Sequence, residues 1–280
     1  MLVVIGDLVA DLIVLGGAAL ERGTDNPAHV RLTRGGSAAN VAAAAAGRHP
    51  IRFIGRVGDD TLARALVSEL EAAGVEVRVQ RGGRTGAIVV MVDAEGERTM
   101  ITDRGAAAEL DAIEPAWLGG VRWLHVPLYG FAPSRSRRAL TDAARVAAAQ
   151  GAAVSVDLSS VATMRGLGAP QLAAILDDVR PDVVFANADE ARLADELGLT
   201  PAADGAYVVK RGGEPVLVHQ GGLTTAVPVE RIDGVVDSTG AGDAFAAGYI
   251  VAALDGASPT ESARAGGDLA MSALRRPGAL

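Results

Sequence analysis

The run Asp237-Ser238-Thr239-Gly240-Ala241-Gly242-Asp243-Ala244-Phe245 sets two glycines and an acid just ahead of a helical pattern from Ala244 to Leu254. Ser238 and Thr239 are of the types that cap a helix. The amides of Gly240, Ala241, Gly242 and Asp243 then lie at its first turn, where helix amides have no partner within the helix. Free amides at a helix start bind anions such as phosphate. An acid repels an anion, so Asp243 needs a different task. Taking a proton from a hydroxyl that attacks phosphorus is such a task. The segment then joins an anion cradle to a general base. Taken alone, the pattern also reads as a turn and a helix cap.

Four other segments carry groups suited to the same chemistry. Gly6-Asp7 follows the first apolar run, and Asp11 comes four residues after Asp7. Ligands of open parallel sheets sit beyond the carboxyl ends of the strands. A carboxylate there can accept two hydrogen bonds from a polyol; a capping or solvated acid is the alternative. Gly35-Gly36-Ser37-Ala38-Ala39-Asn40 precedes an alanine-rich helix. Its glycines allow close approach to the backbone, and Asn40 offers a donor and an acceptor. An ordinary turn has the same signature. Asn187 and Glu190 share a face of a helix start. An amide and a carboxylate there suit Mg²⁺ held mostly through water, and the spacing is equally that of a capping box. Lys210-Arg211-Gly212-Gly213 closes a strand. Gly212 leaves room for a base or a phosphate while Lys210 or Arg211 offsets charge; a hairpin turn fits as well. Neither GxGxxG nor the P-loop GxxxxGK[ST] occurs where a nucleotide would need it, which argues against a dinucleotide-dependent oxidoreductase.

Positioning such groups requires a layered frame. Apolar runs at Leu2–Ile5, Ile51–Ile54, Val121–Val126, Val154–Val156, Val183–Phe185 and Tyr207–Val209 read as buried parallel strands. Helical patterns fall between them at Ser37–Ala46, Thr61–Ala73, Ser134–Ala149, Pro170–Asp178, Ala188–Leu197, Ala244–Ala253 and Pro259–Leu274. This is the rhythm of a helix-covered parallel sheet. From Val75 to Thr102 the rhythm stops. Gly86–Val92 and Arg98–Thr102 read as a hairpin, and Leu12–Arg34 is extended as well. The two pieces are expected to pair as a small projecting sheet. Ile88, Val90 and Val92 would line one face and Val89 and Met91 the other, so neither face suits water.

Composition bounds the class. The 280 residues are 49% hydrophobic and 21% charged, as in a folded globular chain. Twenty-six basic against 34 acidic residues give a net charge of −8, which argues against nucleic acid as a partner. Without cysteine there is no disulfide, thiol catalysis or thiolate metal site. No apolar run reaches about 18 residues and no basic leader precedes Leu2, so a cytoplasmic, membrane-free protein is expected.

With Gly35–Asn40 near its start and Asp237–Phe245 near its end, the chain closely resembles the ribokinase-like, or PfkB, carbohydrate kinases. The likeness runs from Leu2 to about Ala279. It takes in Gly6-Asp7 with Asp11, Gly55-Arg56-Val57-Gly58-Asp59-Asp60, Gly96-Glu97-Arg98, Asn187 with Glu190, and Lys210 with Gly212. The resemblance implies a Rossmann-like α/β domain over residues 1–280, with a β-sheet lid built from about 12–34 and 75–105. It implies ATP-dependent phosphorylation of a hydroxymethyl group on a sugar or sugar acid. Asp243 matches the catalytic base and Gly240, Ala241 and Gly242 the anion hole. Asp11, Gly35, Gly36 and Asn40 match sugar-contacting positions, Asn187 and Glu190 the magnesium and phosphate motif, and Lys210 and Gly212 the nucleotide side. In members that use potassium, Asp237 and Thr239 match part of that site. Many members dimerise through the lid, and a homodimer is expected here. Arg98 and Arg104 are candidates to face the carboxylate of an acidic sugar such as 2-keto-3-deoxygluconate. Ribose, fructose and nucleosides stay open, although 3% aromatic residues leave few rings to stack on a purine. A non-catalytic sugar- or nucleotide-binding protein of the same fold is the other alternative.

Overall fold

The computed structural model describes residues 1–15, 20–93, 98–199, 205–230 and 239–275. Its frame is a nine-stranded sheet in the order β13-β12-β11-β10-β9-β8-β1-β4-β5. The strands are β1 (Leu2–Ile5), β4 (Ile51–Val57), β5 (Glu76–Arg81), β8 (Trp123–Pro127), β9 (Ala153–Asp157), β10 (Val183–Asn187), β11 (Ala206–Arg211), β12 (Glu214–Gln220) and β13 (Leu223–Val227). From β5 through β11 all neighbours run parallel; β12 and β13 continue antiparallel.

The continuous apolar runs follow from burial on both faces. Leu2 and Val4 pack into one core and Val3 and Ile5 into another. The first core also takes α1 (Ser37–Ala45), α2 (Thr61–Ala72), α6 (Ala241–Leu254) and α7 (Pro259–Leu274). The second takes α3 (Ser134–Ala149), α4 (Val161–Val179) and α5 (Ala188–Glu196). The alanine run of α1 lies against the sheet with Ala38, Ala39, Ala42 and Ala45 almost wholly buried. Small side chains bring that backbone close. No described helix is long and apolar enough to cross a membrane.

A second sheet has four strands in the order β3-β2-β6-β7: β2 (Val9–Leu15), β3 (His29–Gly35), β6 (Thr85–Val92) and β7 (Arg98–Gly105). The two extended regions thus pair as expected, with β2 and β6 parallel at the centre. The stretch grouped with them at 76–81 does not join. It forms β5, the edge of the large sheet, because α2 returns the chain alongside β4 as a parallel crossover. The residues Gly96 and Glu97 of the hairpin tip lie outside the described residues.

Two helix boundaries also differ from expectation. α4 starts at Val161 and not at Pro170; Ser160 caps it, and its path breaks at Gly168, whose φ is 74°. α6 starts three residues early, at Ala241. Gly240, and not Thr239, holds the N-cap position, with φ 73° and no side-chain cap bond; Ser238 lies outside the described residues. Glycine alone among the residues there takes that left-handed conformation without strain.

Candidate active site

The site gathers where the carboxyl ends of β1, β9, β10 and β11 meet the first turns of α1 and α6. Ala244 is the first α6 residue whose amide bonds back into the helix, to the Gly240 carbonyl at 2.8 Å. The amides of Ala241, Gly242 and Asp243 therefore precede the helical ladder. Asp243, third in the helix, turns to α1. Its Oδ1 accepts from Ser37 Oγ at 2.6 Å and its Oδ2 from Asn40 Nδ2 at 3.0 Å. Burial pushes its pKa up to about 6, against the two hydrogen bonds, which pull it down. Asp157 adds to the rise and Lys210 opposes it.

Asp11 enters from β2. Burial, with the charge of Asp243, pushes its pKa up to about 6, while Arg34 pulls the other way. Its Oδ1 is buried without a hydrogen-bond partner, and so is Asn40 Oδ1. A buried acceptor left unpaired is costly, so two of them converging near one base fit a ligand that brings hydroxyl donors. Gly35 and Gly36 make the approach possible. A Cβ on Gly35 would collide with the Asp11 carboxylate and one on Gly36 with the Asp7 carbonyl, and Gly36 has φ 99°.

Asp7 is not open to a ligand. Arg104 grips it with two bonds of 2.7 Å, from Nε to Oδ2 and from Nη2 to Oδ1, and donates through Nη1 to the Tyr129 carbonyl at 2.8 Å. Arg104 is thus committed within the protein, contrary to the expectation that it faces a substrate carboxylate. Only the backbone of Arg98 is described.

On the other side of α6, the Lys210 ammonium donates to Asp157 Oδ2 at 2.6 Å and lies 5.9 Å from the centre of the Phe185 ring. A Cβ built on Gly242 would lie 3.4 Å from Lys210 Nζ. Burial lowers the Lys210 pKa, but the carboxylates around it, Asp157 foremost with Glu190 and Asp243, together outweigh it and the net shift is upward. Asn187 and Glu190 form a capping box at the start of α5. Asn187 Oδ1 accepts from the Glu190 amide, and Glu190 accepts from the Asn187 amide and Nδ2 at 2.8 Å each. Glu190 is 2% exposed, and burial with the Asp157 charge pushes its pKa up to about 7. Gly212 occupies the turn between β11 and β12 with φ 60°, as the hairpin reading has it. Thr239 sits in the turn before α6, while Asp237 lies outside the described residues.

Sequence reasoning missed Ser37, Asp157 and Tyr129. Tyr129 donates to the Ser159 carbonyl at 3.1 Å. Asp157 had one signal, an acid ending an apolar strand on the edge where ligands bind. Ser37 lies within the quoted glycine segment, but its hydroxyl passes for a helix-start residue and no local cue points to Asp243.

Among the described residues no group of three His, Cys, Asp or Glu side chains can hold a metal ion. The donor set fits Mg²⁺ only in the manner that ion accepts readily, through water and substrate phosphates with one or two carboxylates nearby.

The model of the pfkB family carbohydrate kinases matches residues 1–280. An ATP-dependent ribose-1-phosphate kinase of Halopiger xanaduensis is 35% identical over 241 residues, 81% of this chain and 76% of that protein. A fructokinase of Klebsiella pneumoniae is 29% identical over 288 residues, 92% of this chain and 89% of its own. The crystal structure of adenosine kinase from Sinorhizobium meliloti superposes with a TM-score of 0.84 at 26% identity, covering 99% of this chain and 94% of that one. ATP is a substrate of kinases of this kind. A full-length family match, a relative above 30% identity and a shared fold agree: the chain belongs to the pfkB family of carbohydrate kinases, phosphotransferases that act on an alcohol group.

Proposed function

We propose that this kinase transfers the terminal phosphoryl group of ATP to a hydroxymethyl group of a sugar, with Asp243 as general base and the amides from Gly240 to Asp243 as the anion hole. The observation that carries this is a buried carboxylate on the first turn of α6, tied to Ser37 and Asn40 by hydrogen bonds to both its oxygens. The sugar oxygen forms a bond to phosphorus as the bond to ADP breaks. The hydroxyl proton passes to Asp243 and from there to water. The helix-start amides stabilise charge on the transferring group. The unpaired Oδ1 atoms of Asp11 and Asn40 accept the other sugar hydroxyls, and Gly35 and Gly36 let the sugar lie against the backbone. Lys210 and Gly212 belong to the nucleotide side. Mg²⁺, when bound with ATP, neutralises phosphate charge, and Glu190 with Asn187 would hold its water shell. The potassium expectation rests on Thr239 and on Asp237, which lies outside the described residues, and the assay with and without K⁺ decides it.

The engagement of Arg104 by Asp7 favours a neutral sugar over a sugar acid. The four-stranded sheet serves as a lid that excludes water and as the surface of a homodimer, in a cytoplasmic protein. A nucleoside acceptor is the second reading, supported by the adenosine kinase likeness. The test is ATP consumption with ribose, fructose, ribose 1-phosphate, 2-keto-3-deoxygluconate and adenosine, in Mg²⁺ with or without K⁺. Asp243→Asn should lower kcat by about 10²–10⁴-fold on the best of them. A variant within about tenfold of wild type would remove Asp243 from the base role.

A further inference from the structure

Lys210 and Asp157 form an ion pair whose side chains are only 15% and 8% exposed, with the ammonium beside the first turn of α6. Burying two charges is costly, and an apolar pair of similar size often serves stability as well or better. Stability alone therefore does not account for the pair. Its placement does. Lys210 Nζ would be 3.4 Å from a Cβ on Gly242, the second residue of α6, so a full positive charge stands just behind the amides of Ala241 to Asp243. Asp157 is itself fixed from two sides: its Oδ1 accepts from the Ser159 amide at 2.8 Å, and its Oδ2 takes the ammonium at 2.6 Å. The register sets the geometry. Asp157 lies level with Phe185, and Lys210 lies two residues beyond Val208, which pairs with Phe185. The ammonium crosses the Phe185 ring to reach its partner.

We infer that Asp157 is a positioning residue for phosphoryl transfer: it holds Lys210 charged and immobile behind the first turn of α6, so that the ammonium reinforces the anion site there. The inference rests on the reading of α6 as that site. It leaves the sugar side, at Asp11 and Asn40, untouched.

Asp157→Asn keeps the acceptor for the Ser159 amide but turns an amide donor toward the ammonium, which must then move. The expected result is a rise in KM for ATP with a fall in kcat, together at least tenfold in kcat/KM, and an unchanged sugar dissociation constant by calorimetry. In a Lys210→Met background the same substitution should cost no more than about twofold, because the group it positions is gone. Should Asp157→Asn not fold, the paired variant Asp157→Leu with Lys210→Met removes both charges and keeps an apolar fill. It should melt near wild type yet lose ATP kcat/KM to the same degree. Wild-type ATP kinetics in that folded double variant, or an equal loss from Asp157→Asn with and without Lys210, would overturn the inference. Asp243→Asn assayed alongside reports on α6 itself. Its loss of turnover with intact Asp157→Asn kinetics would sink the role of Asp157 alone, whereas full activity of Asp243→Asn would sink the reading of the site.

Discussion

Asp11 carries a desolvation cost that its neighbours do not remove. Its Oδ1 is unpaired, and burial with the charge of Asp243 raises its pKa from 3.8 to about 6. A raised carboxyl pKa means that the folded chain holds the proton more tightly than the unfolded one. The contribution to stability is present below about pH 4 and lost as pH rises through about 6. Asp11→Asn should therefore raise the melting temperature at pH 8 by an amount worth at most about 3 kcal/mol, and give no gain near pH 3. Sugar affinity should fall steeply in the same variant. Melts at the two pH values with a sugar titration check this; an equal gain at both would mean that charge is not the cause. Asp243 is raised by burial to the same range, so kcat/KM should fall at least tenfold per pH unit below about 6 as the base, and Asp11 with it, protonates. A profile flat to pH 5 would contradict it. Asp243, Asp11 and Asn40 were legible as one group through the family resemblance, since each motif taken alone also reads as a turn or a cap. Ser37 and Asp157 were not. Each draws its meaning from a partner far along the chain, 206 residues away for Ser37 and 53 for Asp157; the packing of α1 against α6 supplies the first and the sheet register the second.

The first turns of α1 and α6 come together because glycine precedes each. Gly36 meets the Asp7 carbonyl where any Cβ would collide, and its φ of 99° disfavours other residues. Gly36→Ala should lower stability by about 1–3 kcal/mol and tilt α1, with a larger loss of sugar affinity than of ATP affinity, since Asn40 rides on α1. Melts and separate titrations of the two ligands would decide; an equal loss for both would point to general loosening. Element types were largely readable. Ser134–Ala149 and Pro259–Leu274 match α3 and α7 to the residue, because apolar spacing and neighbouring turns agree there. The failures have physical causes. Gly166, Gly168 and Pro170 read as breakers, although capping by Ser160 and burial of Met164 sustain the turns before them. β5 has charged residues between its valines because it is a half-exposed edge, so it lacks the apolar run of its neighbours. The helical pattern is apolar only from Ala244, which puts Gly240 to Asp243 at its approach, yet Ala241 and Gly242 already belong to the helix.

At the scale of the molecule, the four-stranded sheet presents two faces of different character. Residues paired across strands share a face. Asp11, Ile13 and Leu15 stand with Ile88, Val90 and Val92 on the side that carries the site carboxylate. The opposite side joins Leu12 and Val14 to Leu32 and Val30 across β3, to Val89 and Met91 across β6, and to Ile101 on β7. Val30, Leu32 and Ile101 are 58%, 60% and 60% exposed in a single chain, whereas most residues of their type are buried in the two cores. A contiguous apolar surface on the outer strands β3 and β7, both sheet edges, marks a place for association. The occupant we expect is the same face of a second copy, since a two-fold arrangement lets one self-complementary patch cover itself. Sedimentation equilibrium at micromolar concentration should give the mass of a dimer, and Leu32→Glu should shift it to the monomer by forcing a carboxylate into the buried centre of the interface. The same variant should keep the wild-type melting temperature at concentrations where both are monomeric, because Leu32 is already exposed there. A clean monomer for the wild-type chain, with and without sugar, would rule the dimer out, and a dimer unmoved by Leu32→Glu would put its interface elsewhere.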